Sequence, residues 1–304
     1  MYAIDRSNVL ETVLRNEGWT QAHGEESPLF SYALRPVAGF RNIPIRWANK
    51  YTAKVEFSQQ MKCLGIERVI PPTYEDLDDL PDIASGELWF VKESLNSRGR
   101  GITPVRSLHD MKVAASRLPK GSYVLQQGVT NLDLYKGKKY TLRVYILQLP
   151  DGRVWVYRRI VGIQHKLEYD RSTASHDIHV SHTGAQRYDF EAEHPKYKVI
   201  FDRIVQATKE VFGAWRGQMD FNGAGYHFYG ADFLVDRNYN VWLLELNSFP
   251  DVSSKQEDVR HAILVDFFTD LYRLVIAPAT TGATPVLGKF AIALPSLPTI
   301  KKSH

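Results

Sequence analysis

A chain of 304 residues, 44% hydrophobic and 24% charged, can bury a core without disulfides, and its composition excludes a disordered, collagen-like or coiled-coil chain. A net charge of +4 falls short of a nucleic-acid footprint, and the single cysteine, Cys63, excludes an internal disulfide or a cysteine-rich zinc site. The start lacks a leader's basic and apolar segments, and no apolar run reaches the roughly 20 residues of a membrane span, so a soluble, cytoplasmic protein is expected.

Val9, Leu10, Val13 and Leu14 recur at helical spacing over 7–17, with Ser7 or Asn8 as cap and Gly18 as stop. A short strand is expected at 30–34 and a helix at 52–64, ended by Gly65, with Cys63 buried in it. Consecutive prolines make 70–74 extended, and the acidic run 75–82 reads as an exposed linker. Strands at 88–92 and 102–105 flank a polar loop over 94–101. A short helix near 108–118 and a strand at 123–127 follow. The β-rich runs 139–149 and 154–161 are joined by Pro150-Asp151-Gly152, a hairpin signal. The polar, His-rich segment 165–194 reads as loop; its histidines, His176, His179 and His182 among them, read as structural or substrate-loop residues, not metal ligands. An amphipathic helix is expected at 197–212, with Val199, Ile200, Ile204, Val205, Thr208 and Phe212 on its apolar stripe. A second hairpin pairs 229–235 with 241–246, a last helix covers 257–276, and the Pro/Ala/Thr-rich tail from 278 is expected to lie over the surface or to be partly disordered.

Three groups of residues carry chemistry. Lys92 ends a strand before Ser97-Arg98-Gly99-Arg100-Gly101: the ammonium supplies a point charge, and glycines let backbone N–H groups approach phosphate oxygens. Alone, this loop reads more readily as a surface hairpin with exposed cations. Second, Asp232 and Glu245 sit in two apolar strands that pair around the 236–240 turn, and Asn247 shares a strand face with Glu245. Such an all-oxygen set suits Mg²⁺ held together with nucleotide phosphates. Third, Lys139, Thr141 and Arg143 alternate onto one face of a basic strand, with Arg158 on the strand expected to pair with it.

The order of these parts resembles the ATP-grasp ligases, and within them the tubulin tyrosine ligase-like family, over about residues 45–275. The resemblance rests on Val91-Lys92 with Arg98-Gly99-Arg100-Gly101-Ile102, Val124-Leu125-Gln126-Gln127 and Lys139-Tyr140-Thr141-Leu142-Arg143. It continues through Val156-Tyr157-Arg158, His179-Val180-Ser181-His182, Asp232-Phe233-Leu234 and, as its strongest element, Glu245-Leu246-Asn247-Ser248-Phe249-Pro250. It implies an α+β ATP-grasp fold in which two subdomains grip ATP between antiparallel sheets. The units would be an N-terminal unit over 1–80, a small subdomain over 81–127, a large catalytic subdomain over 128–277 and a tail over 278–304.

By the same resemblance, Lys92 contacts the nucleotide phosphates beside Arg98, Gly99 and Gly101, and Lys50 or Lys54 supplies a second nucleotide-side lysine. Gln126, Gln127 and Val129 line the adenine, while Lys139, Thr141 and His182 reach the nucleotide. Asp232, Glu245 and Asn247 hold Mg²⁺, and Arg143 and Arg158 face an acyl-phosphate and a substrate carboxylate. The implied reaction is amide formation between a carboxylate and an amine, driven by ATP. Three positions depart from the family: Thr141 replaces an Asp, Gln127 a Lys and His182 an Asn. An amino-acid donor and a carboxylate acceptor are therefore the expected partners, with neither nucleic acid nor membrane. Arg35, Arg41, Arg46, Lys50 and Lys54 point to an acidic peptide or protein tail as acceptor. A ligase of free amino acids or small acids, and a nucleotide-binding scaffold without turnover, are the alternatives. Acceptor choice is expected in loops near 128–138, 165–190 and 250–256.

Overall fold

A computed structural model of the chain describes residues 1–4, 8–23, 30–32, 40–42, 53–96, 99–216 and 225–296. Strand β1 (Tyr2–Ile4), helix α1 (Asn8–Asn16), and strands β2 (Phe30–Tyr32) and β3 (Phe40–Asn42) come first, the three strands pairing in parallel. Helix α2 (Lys54–Cys63) leads to β4 (Thr73–Tyr74), β5 (Trp89–Glu93), β6 (Ile102–Val105), α3 (Leu108–Ala115) and β7 (Tyr123–Gln127). Strands β8 (Tyr140–Gln148), β9 (Val154–Tyr157) and β10 (Val161–Gln164) precede the one-turn helix α4 (His176–His179), β11 (Gln186–Asp189) and the one-turn helix α5 (Phe190–Glu193). The long helix α6 (Tyr197–Ala214) is followed by β12 (Gly225–Val235), β13 (Val241–Asn247) and α7 (Val259–Leu271). A π-helical stretch, Tyr272–Ile276, continues into α8 (Ala277–Thr281), and β14 (Phe290–Leu294) closes the order.

Four of these strands form a small antiparallel sheet in the order β4-β7-β5-β6. Alternation along β5 decides its two faces. Trp89 and Val91 pack with Met111 and Ala115 of α3, so Phe90 and Lys92 face the other way. Ser107 caps α3 by accepting the Asp110 backbone N–H at 3.0 Å, the usual way to satisfy a first-turn donor.

The other ten described strands form a second sheet centred on β12 and β8, which pair antiparallel. Leu142, Val144 and Ile146 of β8 pack with Ile200, Ile204, Val211 and Phe212 of α6. On the opposite face Tyr145 and Leu147 pack with Phe267 and Phe268 of α7 and with Leu10 and Leu14 of α1. Lys139, Thr141 and Arg143 share that face by alternation but line a cavity instead. A polar row is thereby kept at one end of an otherwise apolar face. Among the described residues, no helix is long and apolar enough to cross a membrane.

Several sequence expectations need correction. Helix α6 buries Phe201, Ala207 and Val211 beside Ile200, Ile204, Thr208 and Phe212, whereas Val199 is exposed. Cys63 is exposed at the end of α2, because the buried stripe of that helix is Val55, Phe57, Ser58 and Met61. The segment 75–82 is not a free linker: Leu77 and Leu80 pack on the small sheet's core, and Glu75 and Asp76 pair with Lys62 and Lys120. Within 165–194 the chain forms β11, antiparallel to β10, and places His176–His179 in α4. The tail contributes β14, which pairs with β9 and buries Phe290, Ala293 and Leu294.

Candidate active site

A cavity of about 630 Å³ opens between the two sheets. One transverse row of the large sheet supplies its polar floor: Glu245 of β13 lies opposite Asp232 of β12, and Asp232 opposite Arg143 of β8. Directly opposed residues in antiparallel strands share a face, so the three side chains converge without any loop to position them. Arg143 donates to both oxygens of Asp232, at 2.5 and 2.9 Å. Asn247 donates through Nδ2 to Glu245 at 3.1 Å and to the Gly230 carbonyl at 3.2 Å, which leaves its amide oxygen as the end available to a cation. Gly230 lets Pro250 and Arg143 pack closely over β12, since a Cβ there would sit 2.8 Å from Pro250 and 3.2 Å from Arg143.

The small sheet supplies the roof. Lys92 and Phe90 project from the same face of β5, and Lys92 Nζ donates to Gln126 Oε1 of β7 at 2.5 Å. Gln126 Nε2 in turn donates to Thr73 at 2.9 Å, so β4, β7 and β5 hold the lysine from one side. Lys139 Nζ reaches from the floor to the His179 carbonyl at 2.5 Å. Both ammonium groups stand over the Phe90 ring, 5.6 and 5.7 Å from its centroid. Lys54, the first residue of α2, adds a third lysine and donates to the Asn96 carbonyl at 2.6 Å.

Burial governs the electrostatics here. It pulls Lys139 down to about 7, helped by the neighbouring Lys92. Lys92 is lowered for the same reason, against the opposing pull of Glu245. Lys54 is also lowered by burial, with Glu245 and Glu93 acting against it. Glu245 is raised by burial and by Asp232. His165 and His182 stand at right angles, 5.1 Å apart, and burial followed by Lys139 lowers them to about 2 and about 4. Both are neutral at pH 7. Buried lysines without a carboxylate in hydrogen-bond contact are costly unless an anion arrives. Among the described residues Lys92 and Lys139 have no such carboxylate.

Most of the residues singled out in the sequence come together. Lys92, Gly99, Gln126, Gln127, Val129, Lys139, Thr141, Arg143, His182, Asp232, Glu245 and Asn247 all line the cavity. Gly101 lies behind the loop, with positive φ and its carbonyl bound by the Glu93 N–H at 2.8 Å. It also lines a smaller neighbouring cavity of about 500 Å³ together with Gly99 and His182. Arg98, Arg35, Arg46 and Lys50 lie outside the described residues, as does the side chain of Arg41, so Lys54 alone represents that basic group.

Arg158 is not part of the cavity. The run 154–161 is not one strand: β9 ends at Tyr157, and β10 takes the place beside β8, with Val161 opposite Arg143. Arg158 sits at the break, exposed, over the Phe201 ring at 5.2 Å. Phe90, His165, Arg187 and Arg260, which no motif marks in the sequence, also line the cavity. The i, i+2 spacing of Phe90 and Lys92 was a signal for the first.

The donor set fits Mg²⁺ and a nucleotide. Two carboxylates and an amide oxygen suit a hard cation, and the lysines suit phosphates. Thr141 Oγ1 is buried without a hydrogen-bond partner among the described residues, as a hydroxyl awaiting a ligand would be.

Two α+β halves closing on such a cavity define the ATP-grasp fold. The C-terminal domain of K. lactis Pby1, described as an ATP-grasp enzyme interacting with the mRNA decapping enzyme Dcp2, has this fold. It superposes with a TM-score of 0.71 at 18% identity, covering 98% of this chain and 100% of that one. A sequence model of the tubulin-tyrosine ligase family matches residues 41–183 and 161–281, and the chain belongs to that family. It is similar to tubulin glycylase 3B of Tetrahymena thermophila (24% identity over 59% of this chain and 18% of the relative). It is also similar to the probable tubulin polyglutamylase ttll-9 of Caenorhabditis elegans (22% identity, 83% and 75%). A third relative is the probable tubulin–tyrosine ligase PBY1 of Saccharomyces cerevisiae (22% identity, 70% and 36%). The chain spans only 18% to 31% of the length of three tubulin glycylases that it matches.

Proposed function

We propose that this chain is an ATP- and Mg²⁺-dependent carboxylate–amine ligase that joins an amino acid to a carboxylate of a peptide or protein. The observation that carries the reading is the convergence of Lys54, Lys92, Lys139 and Arg143 on Asp232, Glu245 and Asn247 in one cavity between two sheets. In this reading Lys92 and Lys139 hold the phosphates, with the backbone of Gly99 beside them. Gln126, Gln127 and Val129 face the base, and Thr141 offers its hydroxyl to the sugar. Asp232, Glu245 and Asn247 hold Mg²⁺, which when bound neutralises charge on the transferring phosphoryl group.

Arg143 holds and orients the substrate carboxylate. A carboxylate oxygen attacks the γ-phosphorus, the bond to ADP breaks, and an acyl-phosphate forms. The amine then attacks the carbonyl carbon, phosphate leaves with that carboxylate oxygen, and the amine loses a proton. No protein nucleophile takes part, so positioning and electrostatic stabilisation carry the rate. The names of the relatives suggest glycine, glutamate and tyrosine as donors to try, and an acidic tail such as that of tubulin as acceptor.

The test is ADP release by the purified chain with Mg-ATP, each of these amino acids and a glutamate-rich peptide. ADP made only when donor and acceptor are both present supports the reading. Release with amino acids alone points instead to a small-molecule ligase, and nucleotide binding without turnover across acidic acceptors points to a scaffold.

A further inference from the structure

The cavity holds two arginines that the proposed chemistry leaves without a task. Arg187 of β11 lies opposite Ile163 of β10, and Ile163 opposite Thr141 of β8, so Arg187 extends a second transverse row of the floor. Arg260 is the second residue of α7. Both line the cavity, and one carboxylate sets both. Asp258 caps α7 by accepting the Arg260 backbone N–H through Oδ1 at 2.9 Å. Its Oδ2 accepts the Arg187 guanidinium at 2.8 Å. The Arg260 guanidinium donates to the Asp251 carbonyl, in the segment after β13. Asp251 Oδ1 is itself engaged by Ser253. Strand β11, helix α7 and the segment after β13 are thus tied together at one rim.

The placement relative to Arg143 matters. Arg187 stands two strands over and two residues along, which at about 4.8 Å per strand and 3.4 Å per residue separates the Cα atoms by about 12 Å. Arg143 reaches toward Asp232 on the β12 side of β8 and Arg187 toward Asp258, so the two guanidinium groups hold separate places on the floor. Arg143 is gripped by Asp232 through both oxygens, whereas Arg187 makes one ion pair from an exposed fork. A guanidinium with free donors matches a carboxylate in two places at once.

We infer that Arg187 and Arg260, positioned by Asp258, form a second carboxylate-binding element that recognises a substrate carboxylate without activating it. The inference rests on the ligase reading: a carboxylate at Arg143 is activated, and one at the rim, away from Asp232 and Glu245, is only held. Two substrates bear such a group, the amino-acid donor at its α-carboxylate and an acidic acceptor at a neighbouring side chain.

The test pairs binding with kinetics in the full chain. Hexaglutamate peptide and, separately, free glycine, glutamate and tyrosine are titrated calorimetrically into wild type, Arg187→Gln, Arg260→Gln and the double variant, with a non-hydrolysable ATP analogue present. The inference predicts a rise in Kd of about 10-fold per single variant for one probe class, a larger rise in the double variant, and a nucleotide Kd within about twofold of wild type. A matching rise in KM with kcat retained identifies the source: the donor if the amino acid's KM moves, the acceptor if the peptide's does. Asp258→Ala gives the same KM shift, and Asp258→Asn, which keeps the cap, gives the part due to Arg187. Unchanged Kd and KM in the double variant, with wild type turning over, overturn the assignment of the arginines alone. A fall in kcat with KM unchanged overturns it too. No binding of any probe to wild type and no turnover overturn the ligase reading itself.

Discussion

Arg143 and Asp232 face each other across β8 and β12 and are joined by two hydrogen bonds of 2.5 and 2.9 Å. One arginine therefore orients a carboxylate that also belongs to the proposed metal set. Both side chains are largely buried, at 19% and 14% exposure, so neither tolerates loss of the other. Arg143→Ala takes from buried Asp232 its hydrogen-bonded ion-pair partner and is expected to cost about 3–5 kcal/mol of stability. Replacing both, as Arg143→Met with Asp232→Asn, recovers most of that loss but no activity. Chemical unfolding of the single and double variants checks the coupling.

Glu245→Gln separates chemistry from folding. The carboxylate is raised by burial and by Asp232, so its charge weakens the free fold, and the isosteric amide keeps the shape and accepts the Asn247 bond. Turnover is expected to fall by about 10³-fold or more while the unfolding midpoint stays or rises. A parallel loss of both would show that Glu245 is structural.

Lys139 gives the site a pH signature. Its pKa near 7 in the free site must rise when phosphates bind, so nucleotide binding takes up protons at pH 8 and weakens as pH climbs above about 7. Calorimetry in two buffers of different ionisation enthalpy reads that uptake directly. The sign for folding is opposite. Between about 7 and the 10.5 of an exposed lysine the unfolded chain binds more protons, so this group makes the free protein more stable as pH rises through that window. Lys139→Met should remove most of the proton uptake, weaken nucleotide binding and stabilise the free chain, with the unfolding midpoint as the check.

Gly230→Ala probes how tightly the floor is built. Its Cβ would meet Pro250 at 2.8 Å and Arg143 at 3.2 Å, so one of them must move. A loss of about 1–3 kcal/mol is expected, with a larger relative loss of activity where Arg143 is the group displaced, because it orients the reacting carboxylate. Unfolding and steady-state kinetics on the same preparation check the two parts.

Deleting the segment from 284 onward removes β14, whose Phe290 packs edge-on to Tyr157 and close to Phe267. Phe290→Ala alone is expected to cost about 3–5 kcal/mol, measured by denaturant unfolding.

The parts of the site that the sequence made legible are those fixed by strand alternation and a short turn. Asp232, Glu245 and Asn247 sit on one hairpin whose turn is tied by Asp236, which accepts from the Asn238 and Asn240 backbone N–H groups at 2.9 Å. Lys139, Thr141 and Arg143 needed only the period of two. What was illegible depends on partners distant in the chain. The place of Arg158 is not legible, because nothing local marks where β9 yields to β10 beside β8. Strand β14 is not legible within the tail, because only its pairing with β9 makes it a strand. Arg187 was hidden in a polar stretch whose strand, β11, exists by pairing with β10. The exposure of Cys63 is not legible, because helical spacing does not say which neighbour covers a helix end.

The measurement that tests the central claim most directly follows oxygen. The chain is incubated with Mg-ATP, an amino acid and an acceptor peptide whose side-chain and C-terminal carboxylates all carry ¹⁸O, and the released phosphate is analysed by mass spectrometry. Activation of one such carboxylate at Arg143 predicts one ¹⁸O in the phosphate for each amide bond formed. Phosphate free of label, formed in step with ADP, would contradict the account.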